Sequence, residues 1–150
     1  MIYTSHSLEE TQKLSESFVG FVKQNPTFNT FGFSGDLGSG KTAFTKCVAS
    51  LLGITEHITS PTFVIQKKYS ISLEGFPFKT LIHIDSYRLE NGGELNTLHF
   101  QEELENPENL IIIEWPEKVE DALPKDLPIL QFSFVDEHTR TIAFPAIMEA

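Results

Sequence analysis

Cysteine is nearly absent: Cys47 stands alone in 150 residues, so no internal disulfide can form. Small extracellular domains commonly lean on such bridges, and this chain must fold without them. Arginine is almost as scarce, present only as Arg88 and Arg140. No apolar run approaches the roughly 20 residues that span a bilayer. The opening stretch, Met1 to His6, has no basic segment followed by an apolar one and does not read as a secretory signal. These absences lead to the expectation of a soluble, cytoplasmic protein with no membrane contact. The 5 histidines are dispersed, and no zinc-ligand spacing is present.

Positive charge is also in short supply, with 11 basic against 21 acidic side chains. That balance argues against a surface that coats nucleic acid, which needs a basic footprint. The deficit is local. Residues 1–89 carry 8 basic and 7 acidic side chains, whereas residues 90–126 carry 2 and 11, with Glu102, Glu103 and Glu105 among them. Such a block either solvates a face or steers a basic partner.

What remains is globular in character, 40% apolar and 21% charged. The length suits one domain over 1–150. Ser7 with Glu10 predicts a capping box, and Leu14, Phe18, Phe21 and Val22 mark the apolar face of the helix it opens, which ends before Pro26. A phenylalanine-rich strand is expected over 27–34. A glycine-rich turn follows, then a helix over 41–52 that stops at Gly53. Strands over 62–71 and 78–85 are joined by a short link and should form an antiparallel hairpin. Short helices are expected around Gly93–Asn96, Phe100–Glu105 and 117–122. Between them, Leu110 to Ile113 reads as a strand buried on both faces. Strands over 128–135 and 138–145 predict a last hairpin around Asp136 and Glu137. The fold class is α/β: a P-loop NTPase-like domain with a mixed parallel and antiparallel sheet flanked by helices.

The turn carries the chemistry. Gly35-Asp36-Leu37-Gly38-Ser39-Gly40-Lys41-Thr42 matches G-x-x-x-x-G-K-[ST], with a strand before it and a helix after. Glycines let successive backbone N–H groups turn toward phosphate oxygens, and the helix start adds its positive end. Lys41 reaches β- and γ-phosphates, and the Thr42 hydroxyl suits Mg²⁺. The expected cradle runs from Gly35 to Ala43, with Asp36 read as a solvated turn residue.

A phosphate loop of this kind needs a carboxylate at the end of a neighbouring apolar strand. Asp85 follows Leu81-Ile82-His83-Ile84, and Glu114 follows Leu110-Ile111-Ile112-Ile113. The second run is the more uniformly apolar, which assigns Glu114 to the metal. Asp85 is then either the residue that orients the attacking water or a turn-capping carboxylate at a strand end. His83 is placed on a polar sheet face. Three classes compete. A GTPase would carry Asn-Lys-x-Asp, and the chain has no Asn-Lys pair. A stand-alone kinase of a small metabolite would usually carry an arginine-rich lid. A hydrolytic ATPase that regulates a partner needs neither, and is favoured.

Four segments together resemble one family: the phosphate loop, Thr59-Ser60-Pro61-Thr62-Phe63, His83-Ile84-Asp85-Ser86-Tyr87-Arg88-Leu89 and Ile113-Glu114-Trp115-Pro116-Glu117. In order and spacing they are similar to the TsaE family, formerly YjeE, the small P-loop ATPases of bacterial tRNA threonylcarbamoyladenosine biosynthesis. The resemblance covers about residues 5–145. It implies binding of ATP and ADP with Mg²⁺ and hydrolysis that is weak alone and stimulated by partners. It also implies action on the TsaB–TsaD pair between turnovers, with tRNA met only indirectly. By residue it implies Lys41, Asp85 and Glu114 in catalysis, and Thr42 and Glu114 at the metal. Thr59, Ser60 and Thr62 fall in a switch-like loop near the γ-phosphate, and Trp115 beside the nucleotide.

Overall fold

The structure is a computed structural model and describes residues 1–58 and 65–149. Seven strands form one sheet in the order β1-β7-β6-β2-β5-β4-β3. They are β1 (Ile2–Ser5), β2 (Thr30–Ser34), β3 (Gln66–Ser70), β4 (Thr80–Asp85), β5 (Asn109–Glu114), β6 (Ile129–Asp136) and β7 (Thr139–Ala143). The inner strands β6, β2, β5 and β4 run parallel, while β3, β7 and β1 are added antiparallel. This is the mixed sheet expected from the sequence.

Helices α1 (Leu8–Gln24) and α2 (Lys41–Leu51) pack on one face through Phe18, Val22, Phe44 and Val48, against Phe31, Phe33, Ile112, Leu130 and Phe132. The phenylalanines of β2 thus find their reason. Phe33 lies 5.5 Å from Phe44 and 5.2 Å from Phe132, and Phe18 lies 5.0 Å from Phe31, a lattice of tilted and edge-on rings beneath the turn. Each such pair adds about 0.5–1.5 kcal/mol beyond area burial. The other face is covered by α3 (Gly93–Asn96), α4 (Phe100–Glu105) and a kinked 3₁₀ segment (Pro116–Ala122), through Leu95, Phe100 and Val119 against Ile82, Ile84, Ile111 and Ile113. Strand β5 is buried at every residue, as its unbroken apolar run predicts.

Several local expectations are corrected. The strand expected from residue 27 begins at Thr30, after a turn in which the Phe28 N–H donates to the Asn25 carbonyl. Ser7 does cap α1, accepting the Glu10 N–H at 3.1 Å. The Glu10 carboxylate, however, accepts the backbone N–H of His6 at 2.6 Å, one residue before the cap. Strand β1 was not expected; four residues at the edge carry no readable period, and pairing with β7 creates the strand. The β3 expectation over 62–71 is met at Gln66–Ser70. Thr59, Ser60 and Thr62 lie outside the described residues.

Part of the acidic block is internal. Glu103 is buried, accepting Gln66 Nε2–H at 2.5 Å and pairing with Lys68 at 3.2 Å, which ties α4 to β3. Among the described residues, no helix is long and apolar enough to cross a membrane.

Candidate functional site

Strand β2 ends at Ser34 and α2 starts at Lys41, so residues 35–40 form a loop at the carboxyl end of the parallel strands. Gly35 has φ +147°, and a Cβ there would meet the Phe132 carbonyl oxygen at 2.4 Å, so only glycine fits. Gly40, at φ +104°, turns directly into α2 with no side-chain cap, leaving the first N–H groups of the helix for a ligand. Ser39 is buried, and its hydroxyl has no partner among the described residues. Leu37 projects from the tip of the loop, 73% exposed.

Lys41 is buried. Its ammonium donates to the Gly35 carbonyl and lies 4.1 Å from the centre of the Trp115 ring. Burial pushes the ammonium below its ordinary pKa, and the nearby Glu114 and Asp85 carboxylates partly oppose that shift. Trp115 holds a left-handed backbone, φ +58°, immediately after β5, a conformation that β-strand ends seldom impose on a bulky residue. Its ring meets Tyr87 at 5.1 Å.

Asp85 and Glu114 are direct partners in the parallel register of β4 and β5, so their side chains emerge side by side on the same face of the sheet. Both are buried, at 6% and 3% exposure. The Tyr87 N–H donates to Asp85 Oδ1 at 2.9 Å, so Asp85 caps the turn after β4 and also faces Lys41. Its expected role at the water and the turn-capping role are therefore compatible. His83 does not lie on a polar face. It is fully buried, and its Nε2–H donates to Glu114 Oε2 at 2.6 Å.

Residues Leu37 to Ala43 line a cleft of about 370 Å³ together with Asp85, Tyr87, Glu114 and Trp115. The predicted Gly38, Ser39, Gly40, Lys41, Thr42 and Ala43 thus meet both carboxylates. Gly35 and Asp36 instead line an adjoining hollow with Ser34, Trp115 and Glu117, where the Ser34 hydroxyl donates to Glu117 at 3.1 Å. A second cleft of about 320 Å³ shares Ser39, Gly40 and Ala43 with the first, and is closed by the β1–α1 junction and Arg140. Thr62 lies outside the described residues.

The donors in the main cleft are hard oxygens: the Thr42 hydroxyl and the two carboxylates, a set that suits Mg²⁺. Among the described residues, no group of three or more His, Cys, Asp or Glu is placed to hold a metal ion alone. A cation here would draw further oxygens from a phosphate ligand, as Mg²⁺ commonly does. Sequence reasoning missed Tyr87 and Arg140 as lining residues, and His83 as the side chain beneath Glu114. The available signal for His83 was its two-residue offset from Asp85, which puts both on one face of β4.

Comparison with known proteins shows the family and the fold. The family model described as threonylcarbamoyl adenosine biosynthesis protein TsaE matches residues 5–142. The tRNA threonylcarbamoyladenosine biosynthesis protein TsaE of Bacillus subtilis is 32% identical over 139 residues, covering 93% of this chain and 81% of that protein. The protein of the same name from Borreliella burgdorferi is 40% identical over 101 residues, covering 67% and 69%. The crystal structure of Bacillus subtilis YdiB superposes with a TM-score of 0.69 at 25% identity, over 99% of this chain and 88% of that one.

Proposed function

The chain belongs to the TsaE family of threonylcarbamoyl adenosine biosynthesis proteins, and from that membership we propose that it is the ATP-binding and ATP-hydrolysing subunit of tRNA N6-threonylcarbamoyladenosine formation. In this reading it acts on the TsaB–TsaD pair between turnovers and does not transfer the group itself. The observation that carries the reading is the convergence in one cleft of the loop N–H groups, Lys41, Thr42, Asp85 and Glu114.

The loop and the start of α2 hold the phosphates, and Lys41 exchanges the Gly35 carbonyl for β- and γ-phosphate oxygens. Thr42 and Glu114 would hold Mg²⁺, which would supply charge neutralisation at the phosphate oxygens. Asp85 orients water at the γ-phosphate and accepts its proton. The second cleft, which shares Ser39, Gly40 and Ala43 with the first, takes the nucleoside. With a formal net charge of −10, the chain leaves tRNA backbone binding to its partners.

The test is an ATPase assay on the purified chain with and without TsaB–TsaD. Slow release of inorganic phosphate alone, and faster release with the pair, is the expected result. Failure to bind the pair in either the presence or the absence of ATP overturns the partner assignment. ADP formed in step with a phosphorylated small molecule would instead indicate a stand-alone kinase.

A further inference from the structure

We propose that His83 is a positioning residue for the site: its Nε2–H pins one oxygen of Glu114, so that the other is presented to the cation in the cleft. This inference rests on the ATPase reading above and deepens it.

The register sets the arrangement. On β4, Leu81, His83 and Asp85 share one face; on β5, Leu110, Ile112 and Glu114 share the same one. His83 pairs laterally with Ile112 and reaches diagonally to the Glu114 carboxylate, 2.6 Å away. It forms the layer between the apolar core below and the carboxylate pair above. With both of its strand neighbours, Ile82 and Ile84, in the core of the opposite face, the imidazole sits in a position that the rest of the strand gives to aliphatic side chains.

A buried histidine in that layer has a cost, because imidazole gives up water for one hydrogen bond. Among the described residues its Nδ1 has no partner, so the bond to Glu114 is the contact that accounts for a polar ring here. Glu114 needs that contact. It is 3% exposed, directly beside Asp85, and two adjacent carboxylates repel. The His83 donor fixes Oε2 from below. Oε2 is the oxygen that His83 engages, and the carboxylate lines the cleft with Thr42. Groups that hold metal-bound carboxylates in this way typically change metal affinity 10- to 100-fold when removed.

Two amides separate positioning from mere space filling. In His83→Gln the side-chain NH₂ falls at the level of Nε2 and can still donate to Glu114. In His83→Asn it falls at the level of Nδ1 and cannot. Three quantities are measured on each protein: melting temperature, ADP affinity in EDTA, and Mn²⁺ affinity of the ADP complex by electron paramagnetic resonance. The expected result is unchanged metal-free ADP affinity in both variants. Mn²⁺ affinity should fall about 10- to 100-fold in His83→Asn and stay within about threefold of the parent in His83→Gln. Equal Mn²⁺ affinity in His83→Asn and the parent, or equal losses in both amides, overturns the proposal.

If neither variant folds, the parent protein carries the test. Its His83 ¹⁵N resonances should shift when Mg²⁺ is added to the ADP complex, and insensitivity to Mg²⁺ overturns the proposal. A parent protein that binds no ADP fails at the earlier step and overturns the ATPase reading instead.

Discussion

Arg140 holds the loop over residues 35–40 from 102 residues away: its Nε–H donates to the Gly38 carbonyl at 2.8 Å. The guanidinium is itself fixed, with Nη1 on the Asp136 and Thr139 carbonyls and the Phe134 ring 4.5 Å from its centre. The β6–β7 hairpin is thereby latched to the loop. Arg140→Ala should free Gly38 and raise the ordering cost that nucleotide must meet. One hydrogen bond from a charged donor at this exposed position is worth about 1–2 kcal/mol, so ADP affinity should drop about five- to thirtyfold with little change in melting temperature. Calorimetric titration checks this.

Nucleotide affinity should fall with rising pH sooner than an ordinary lysine would dictate. Of the two forms of Lys41 only the protonated one attracts phosphate, so the complex binds more protons than the free chain above the free-state pKa, and affinity declines from there upward. Burial sets that point below the ordinary value of about 10.4. ADP affinities measured over a rising pH series should bend downward before the pH reaches the ordinary lysine value of about 10.4. In Lys41→Arg binding should be weaker and flat with pH.

Asp85→Asn should separate binding from turnover. The amide oxygen still accepts the Tyr87 N–H, so the turn after β4 survives. ATP affinity should stay within about threefold, while hydrolysis falls about 10²- to 10⁴-fold if the carboxylate serves the water. Equal loss of both would assign Asp85 to binding.

Phe44→Ala tests the ring lattice under the loop. Phe44 is fully buried and meets Phe18, Phe33, Phe132 and Phe144 at 5.8, 5.5, 5.4 and 6.5 Å. Truncation should cost about 3–5 kcal/mol and lower the melting temperature by on the order of 10 °C. Differential scanning calorimetry reads this directly.

The acidic block can be probed without disturbing the fold if Glu103 is spared. Glu102 and Glu105 are exposed, whereas Glu103 is buried against Gln66 and Lys68. Charge reversal at Glu102 and Glu105 should leave the melting temperature within about 2 °C, since exposed substitutions shift stability by roughly 0.5 kcal/mol. A salt-dependent loss of affinity for TsaB–TsaD would make the block a steering surface. Unchanged affinity would make it a solvated face.

Local chemistry was legible in the sequence and distant pairing was not. The helix from Lys41 and its stop at Gly53, the spans Gly93–Asn96 and Phe100–Glu105, and the buried β5 all follow from caps, glycines and apolar runs within a few residues. Strand β1 depends on β7, and Arg140 depends on Gly38, neither of which any local pattern announces. His83 was misplaced because alternation alone distinguishes two faces of a strand without saying which is wet. In β4 both are covered, and the histidine is retained by a carboxylate 31 residues on. The meeting of Asp85 with Glu114 was half legible: each strand end was recognised, but their lateral pairing came from the register.

Lys41 is engaged within the chain itself, by the Gly35 carbonyl and the face of Trp115. If the loop binds phosphate as proposed, that binding is a substitution of one acceptor for another. The lysine contributes only the difference between the two states, and in return the loop keeps its curvature while waiting.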